Sequence, residues 1–135
     1  MNERERHKKG MKVRKAVLGK AHVARAEARK SSFNEPFQDL ITRYAWGEIW
    51  ARPGLPRKMR SMLTIAMMVA LNRPEELRLH LRAAVNTGVS REEIREVLLH
   101  AAIYCGVPAA NHAFQVAEEV FTESRSKRKR PAPRL

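Results

Sequence analysis

PRKMRSMLTIAMMVALNRPEELRLHLRAAVNTGVSREEIREVLLHAAIYCG, residues 56 to 106, holds three helical periods divided by helix-breaking residues. In the first, Met59, Met62, Leu63, Ala66, Met67, Ala70 and Leu71 place apolar side chains around most of the circumference, which marks a central helix. Pro74 opens the second period and Asn86-Thr87-Gly88 closes it. Ser90, with Glu93 three residues on, is a capping box for the third. Ile94, Val97, Leu98 and Ala101 supply its buried face, and Gly106 stops it.

The same signals extend to both sides. Upstream, ARPGLPRK at 51–58 is a turn, with two prolines and a glycine. From Met11 to about Lys30 the residues favour helix, with Val13, Val17, Ala21 and Ala24 on one face of a strongly basic segment. Asn34 then caps a helix through Pro36, Phe37, Leu40, Ile41 and Tyr44 that runs to about Trp46 or Trp50. Downstream, Pro108 restarts the chain into a last helix through Ala113, Val116, Ala117 and Val120. No segment reads as a strand, and there is no internal repeat or Gly-rich phosphate loop. The expected fold is all-α, a compact bundle of about six helices with one modest core. The expected boundaries are a charged arm at 1–10, a helical domain at 11–123 and a basic, disordered tail at 124–135.

The formal net charge of +13 points first to nucleic acid or an anionic membrane surface. Its distribution argues otherwise: residues 1–30 carry +8, the tail after Glu123 carries +6, and the middle of the chain is near neutral at −1. A DNA-reading domain concentrates its cations on a folded recognition element, so no specific nucleic-acid partner is expected. MLTIAMMVAL, residues 62–71, is too short to span a bilayer, and MNERERHKKG lacks the apolar core of a secretory signal. Cys105 is the only cysteine, so no intrachain disulfide forms and a reducing compartment is compatible. A soluble, cytoplasmic protein without membrane insertion is expected. Short helices bury limited area, which makes a homo-oligomer the natural assembly.

Among chemically active groups, Glu76 and His80 have the i, i+4 spacing of one helix face. A carboxylate so placed favours the imidazolium and suits a general acid, and the same spacing also describes an ordinary helical ion pair. Arg43, Arg52, Arg78 and Arg82 suit bidentate carboxylate contacts or plain surface pairing. RYAWGEIWARPG, residues 43–54, gathers Trp46, Trp50, a tyrosine and two arginines, which fits a small organic anion and a subunit interface equally well. His80, His100 and His112 fall on three separate helices without a HxxxH or CxxC pair, so no metal site is expected.

Taken together, GMKVRKAVLG at 10–19, ITRYAWGEIWARPGLPRKMRSMLTIAMMVALN at 41–72, ELRLHLRAA at 76–84 and EVLLHAAIYCGVPAANHAF at 96–114 resemble the carboxymuconolactone decarboxylase family. The wider family includes thiol peroxidases similar to alkylhydroperoxidase D, with CxxCxxxH on the corresponding helix. Here His80 matches the histidine, but Arg73 and Glu76 stand at the cysteine positions, so the resemblance implies decarboxylase rather than thiol chemistry. It further implies an alkylhydroperoxidase D-like subunit in a homo-oligomer, a hexamer. The implied reaction turns 4-carboxymuconolactone into 4-oxoadipate enol-lactone and CO2 in protocatechuate catabolism, the β-ketoadipate pathway.

That chemistry suits these residues. The substrate is a dicarboxylate lactone whose own carbonyl accepts the electrons released with CO2, so no cofactor is expected. The reaction needs an anchor for the acetate side chain, a donor for the developing oxyanion and an acid for the ring carbon. The expected roles are His80 as proton donor, Glu76 as its support, and one or more of Arg43, Arg52, Arg78 and Arg82 as anchor. Trp46, Trp50 or Tyr104 would give the departing carboxylate an apolar wall. The competing expectations are a related lactone decarboxylase or isomerase with another substrate, and a noncatalytic basic helical protein that adheres to RNA or membranes through its ends.

Overall fold

Asn2 opens the first helix of the computed structural model, which describes residues 1–129. Its side chain accepts from the Glu5 amide at 2.8 Å and the Glu5 carboxylate accepts from the Asn2 amide at 3.3 Å. This capping box makes residues 3–10, expected as a charged arm, the beginning of α1 (Glu3–Leu18). The single helix expected from residue 11 to 30 is divided at Gly19, whose φ of 94° lies where a side chain is disfavoured, and α2 (Lys20–Ala28) follows. α3 (Glu35–Ile41) starts behind Asn34 with Pro36 in its first turn, then passes without a break into a π-helical stretch, Thr42–Trp50. The remaining helices are α4 (Arg57–Ala70), α5 (Pro74–Thr87), α6 (Arg91–Cys105) and α7 (Val107–Lys129). Among the described residues there is no strand, and no helix is long and apolar enough to cross a membrane.

The expected breaks hold around α5 and α6: Pro74 begins α5, Gly88 with φ 80° follows its end, and Gly106 separates α6 from α7. Helix α7 continues through Lys129, past residue 124 where a disordered tail is expected, and residues 130–135 of that tail lie outside the described residues. Ser90 accepts from the Glu93 amide at 3.1 Å while Glu93 accepts from the Ser90 amide at 3.0 Å. Ser90→Ala removes the acceptor from an exposed cap, and the expected cost is about 1 kcal/mol in urea unfolding. An unchanged midpoint would show that the box contributes nothing.

Where composition suggests one core, the residues group into two compact units. Residues 1–61 and 83–89 form the first. There α1 lies against the π-helical stretch, with Val13, Val17, Trp46 and Ala83 buried together and Leu18, Ala45, Trp50 and Ala51 packed against them. The approach is close because Gly10 meets the Thr42 carbonyl and the Gly47 amide, while Gly47 meets the Arg6 carbonyl. Arg14 is buried beside this contact, donating from Nη1 to Thr42 Oγ1 at 3.3 Å and from Nη2 to Gln38 Oε1 at 3.1 Å. Burial holds its guanidinium below the ordinary arginine range, against the pull of Glu27. Asn86 closes the unit by donating to the Val17 carbonyl at 2.9 Å.

Residues 62–82 and the described residues from Ser90 on form the second unit. Here α6 and α7 pack as a hairpin around Gly106. Ile65, Leu77, Leu81, Leu98, Ala113 and Val116 are among its buried side chains.

Candidate active site

Leu77 and Leu81 are each 2 % exposed and turn one stripe of α5 inward. Successive helical positions differ by about 100°, so Glu76 and His80 lie together on one flank of that stripe and Arg78 and Arg82 on the other. His80 is half-buried with its Nδ1 enclosed, and Glu76 is exposed in the first turn of α5. The positive end of the helix favours a carboxylate there.

The two arginines of α5 reach α7 instead. Arg78 Nη2 donates to Glu119 Oε2 at 2.6 Å, and Arg82 takes Glu123 in a two-point contact at 3.0 and 2.9 Å. The pairs repeat one turn apart on both helices. Their signal in the sequence is the matched i, i+4 spacing of Arg78/Arg82 and Glu119/Glu123, which only the fold shows to be neighbours.

The other candidates belong to the first unit or to α6. Arg43 Nε lies 3.2 Å from Glu3 Oε2, as an ion pair whose N–H is not aimed at the oxygen. A hydrogen bond from Tyr44, assisted by Arg6 and Arg43, holds the Glu3 carboxyl below the usual carboxylate range. Arg52 Nη1 is 3.5 Å from Glu48 Oε1, and Glu48 also pairs with Arg6. Trp46 is 7 % exposed and fills the core of its unit, with the Trp50 ring tilted against it at 5.1 Å. Tyr104, in the second unit, is 79 % exposed and its ring meets His100 at 5.1 Å.

Glu76 and His80 thus stand one turn apart on α5, and Arg43, Arg52, Arg78 and Arg82 are each committed to a glutamate. Among the described residues, no three His, Cys, Asp or Glu side chains gather as a metal cage requires. A helix-borne histidine can hold and deliver one proton.

Comparison with known proteins places the chain in a family. The pattern of the carboxymuconolactone decarboxylase family matches residues 35–119. A 4-carboxymuconolactone decarboxylase of Acinetobacter baylyi is 51% identical over 123 residues, covering 91% of this chain and 92% of that protein. A nitrosuccinic acid decarboxylase of Metarhizium robertsii is 46% identical over 114 residues, covering 84% of this chain and 80% of that protein. A 4-carboxymuconolactone decarboxylase sequence of Pseudomonas putida is 50% identical over 48 residues, all of its own length and 36% of this chain. With the family pattern spanning more than half of the sequence and the Acinetobacter relative matching nearly all of it, the chain belongs to the carboxymuconolactone decarboxylase family.

Proposed function

We propose that this protein is a 4-carboxymuconolactone decarboxylase, a lyase that yields 4-oxoadipate enol-lactone and CO2 in protocatechuate catabolism. The observation that carries the reading is the Acinetobacter relative of that name, half identical along nearly the whole chain. The substrate ring carbon that bears the departing carboxylate is joined through the ring double bond to the lactone carbonyl. As the C–C bond to the carboxylate breaks, its electron pair moves through the ring to the carbonyl oxygen and CO2 leaves. The resulting furanolate then takes a proton on the carbon beside the carbonyl. Atoms and charge balance with one proton delivered and no oxidant or cofactor.

His80 supplies that proton. Its place one turn after Glu76 on α5 supports this role. The acetate carboxylate calls for an arginine; of the four expected candidates, Arg78 and Arg82 share the unit of His80, on the other flank of α5. Each already holds a glutamate, so substrate binding exchanges one carboxylate for another. Tyr104, in the same unit as His80, offers the exposed ring against which the departing carboxylate is not held by charge.

Exposed apolar side chains support assembly into a homo-oligomer, a hexamer in this reading. Leu63, Met67 and Leu71 recur at one-turn spacing on and just after α4, and Leu99, Ile103 and Tyr104 stand out from α6. A small-molecule catabolic step and a single cysteine fit a cytoplasmic setting.

The Metarhizium relative favours a second reading, because nitrosuccinic acid poses the same problem. Its nitro group takes the electron pair, and a proton is again required on carbon. Purified protein with no added cofactor is expected to consume 4-carboxymuconolactone and release equimolar CO2, unaffected by a chelator. Turnover of nitrosuccinate without turnover of the lactone would establish the second reading instead.

A further inference from the structure

The hairpin of α6 and α7 carries a groove of about 570 Å³ on the second unit, within the range of small-molecule sites. Ile94 and Leu98 form its floor from α6, and Phe114 and Phe121 form a wall from α7. Around them stand Arg91, Arg95 and Arg125, at the end of the hairpin where α6 begins and α7 nears its end. The Arg91 guanidinium lies over the Phe121 ring at 4.3 Å, so one cation already rests on an aromatic face.

These arginines differ from those on α5. Arg78 and Arg82 are held by glutamates, whereas among the described residues none of Arg91, Arg95 and Arg125 lies within ion-pair distance of a carboxylate. Glu92 and Glu118 also line the groove, which leaves three cations against two anions. One excess positive charge beside two phenyl rings matches a flat ring bearing one carboxylate.

We infer that this groove is a binding site for an aromatic monocarboxylate, separate from the His80 face. The carboxylate pairs with Arg95 and Arg125, and the ring packs on Phe114 and Phe121 where Arg91 now lies. An aliphatic acid lacks the stacking partner, and inorganic phosphate leaves the phenyl wall uncovered.

Benzoate is the probe, titrated calorimetrically into the full-length protein at low ionic strength. Saturable binding is expected, weakened at least about tenfold by the double substitution Arg95→Ala with Arg125→Ala. Both positions are exposed, so lactone turnover should stay near the starting value in that variant. Cyclohexanecarboxylate and phosphate should each bind several-fold more weakly, and a His80→Gln protein should bind benzoate as before. The proposal is overturned by the absence of saturable binding, by equal affinity in the double variant, by cyclohexanecarboxylate or phosphate matching benzoate, or by loss of benzoate binding on changing His80.

Discussion

A His80→Gln protein is expected to lose at least about a hundredfold in kcat, the usual contribution of a positioned general acid. Glutamine keeps most of the imidazole's volume and its capacity to hydrogen-bond, so helicity and assembly should survive. What it cannot do is give up a proton to carbon. Decarboxylation is reversible until that carbon is protonated, and a furanolate without a nearby acid recaptures CO2 or waits for water. The loss should therefore fall on kcat, with KM little changed, because the substitution leaves the proposed arginine anchor untouched. The pH profile adds a second readout: a rate that depends on a protonated His80 should fall on the alkaline side, and that fall should be absent in His80→Gln. Near-normal turnover in His80→Gln would end the acid role.

Gly10→Ala should destabilise the first unit by about 3 kcal/mol or more, as large overpacking does in a closed contact. The sign is the informative part, since alanine in a helix is ordinarily favoured over glycine by about 0.5 to 1 kcal/mol. At Gly10 a methyl group would overlap the Thr42 carbonyl, and that atom is backbone on the π-helical stretch. Gly47 meets the mirror of this problem, with a Cβ falling 2.5 Å from the Arg6 carbonyl oxygen. Neither obstacle can rotate away, so relief requires α1 to move off and open the packing around Trp46. Gly54→Ala is the control, with nothing within 4 Å of the added carbon and a change expected within about 0.5 kcal/mol. Chemical unfolding followed by tryptophan fluorescence reads both variants, and a Gly10→Ala protein as stable as its parent would refute the close approach.

The legible parts of the fold were those with local punctuation. Pro74, Gly88, the Ser90–Glu93 box and Gly106 act within a few residues of where they stand, and α5 and α6 begin and end there. At Gly19 the helix-forming composition continues on both sides, so only the positive φ reveals the break. The π-helical stretch was hidden for a different reason: its longer backbone ring uses no distinctive side chain, and TRYAWGEIW reads as ordinary helix. In the candidate site, Glu76 and His80 were readable because one turn of helix separates them. The partners of Arg78 and Arg82 were not, because each lies 41 residues away and pairing across that distance is a property of packing.

The bond from Asn86 to the Val17 carbonyl joins positions 69 residues apart, and with Ala83 it completes the first unit. The α6–α7 hairpin, by contrast, joins neighbours across a single glycine. A chain leaving the ribosome thus exposes α1 and its tryptophan partner without their cover until residues 83–89 have emerged. Until then the α1 pairing has no finished core to fold into, and the eleven Lys and Arg residues among residues 1–30 keep that waiting segment highly charged.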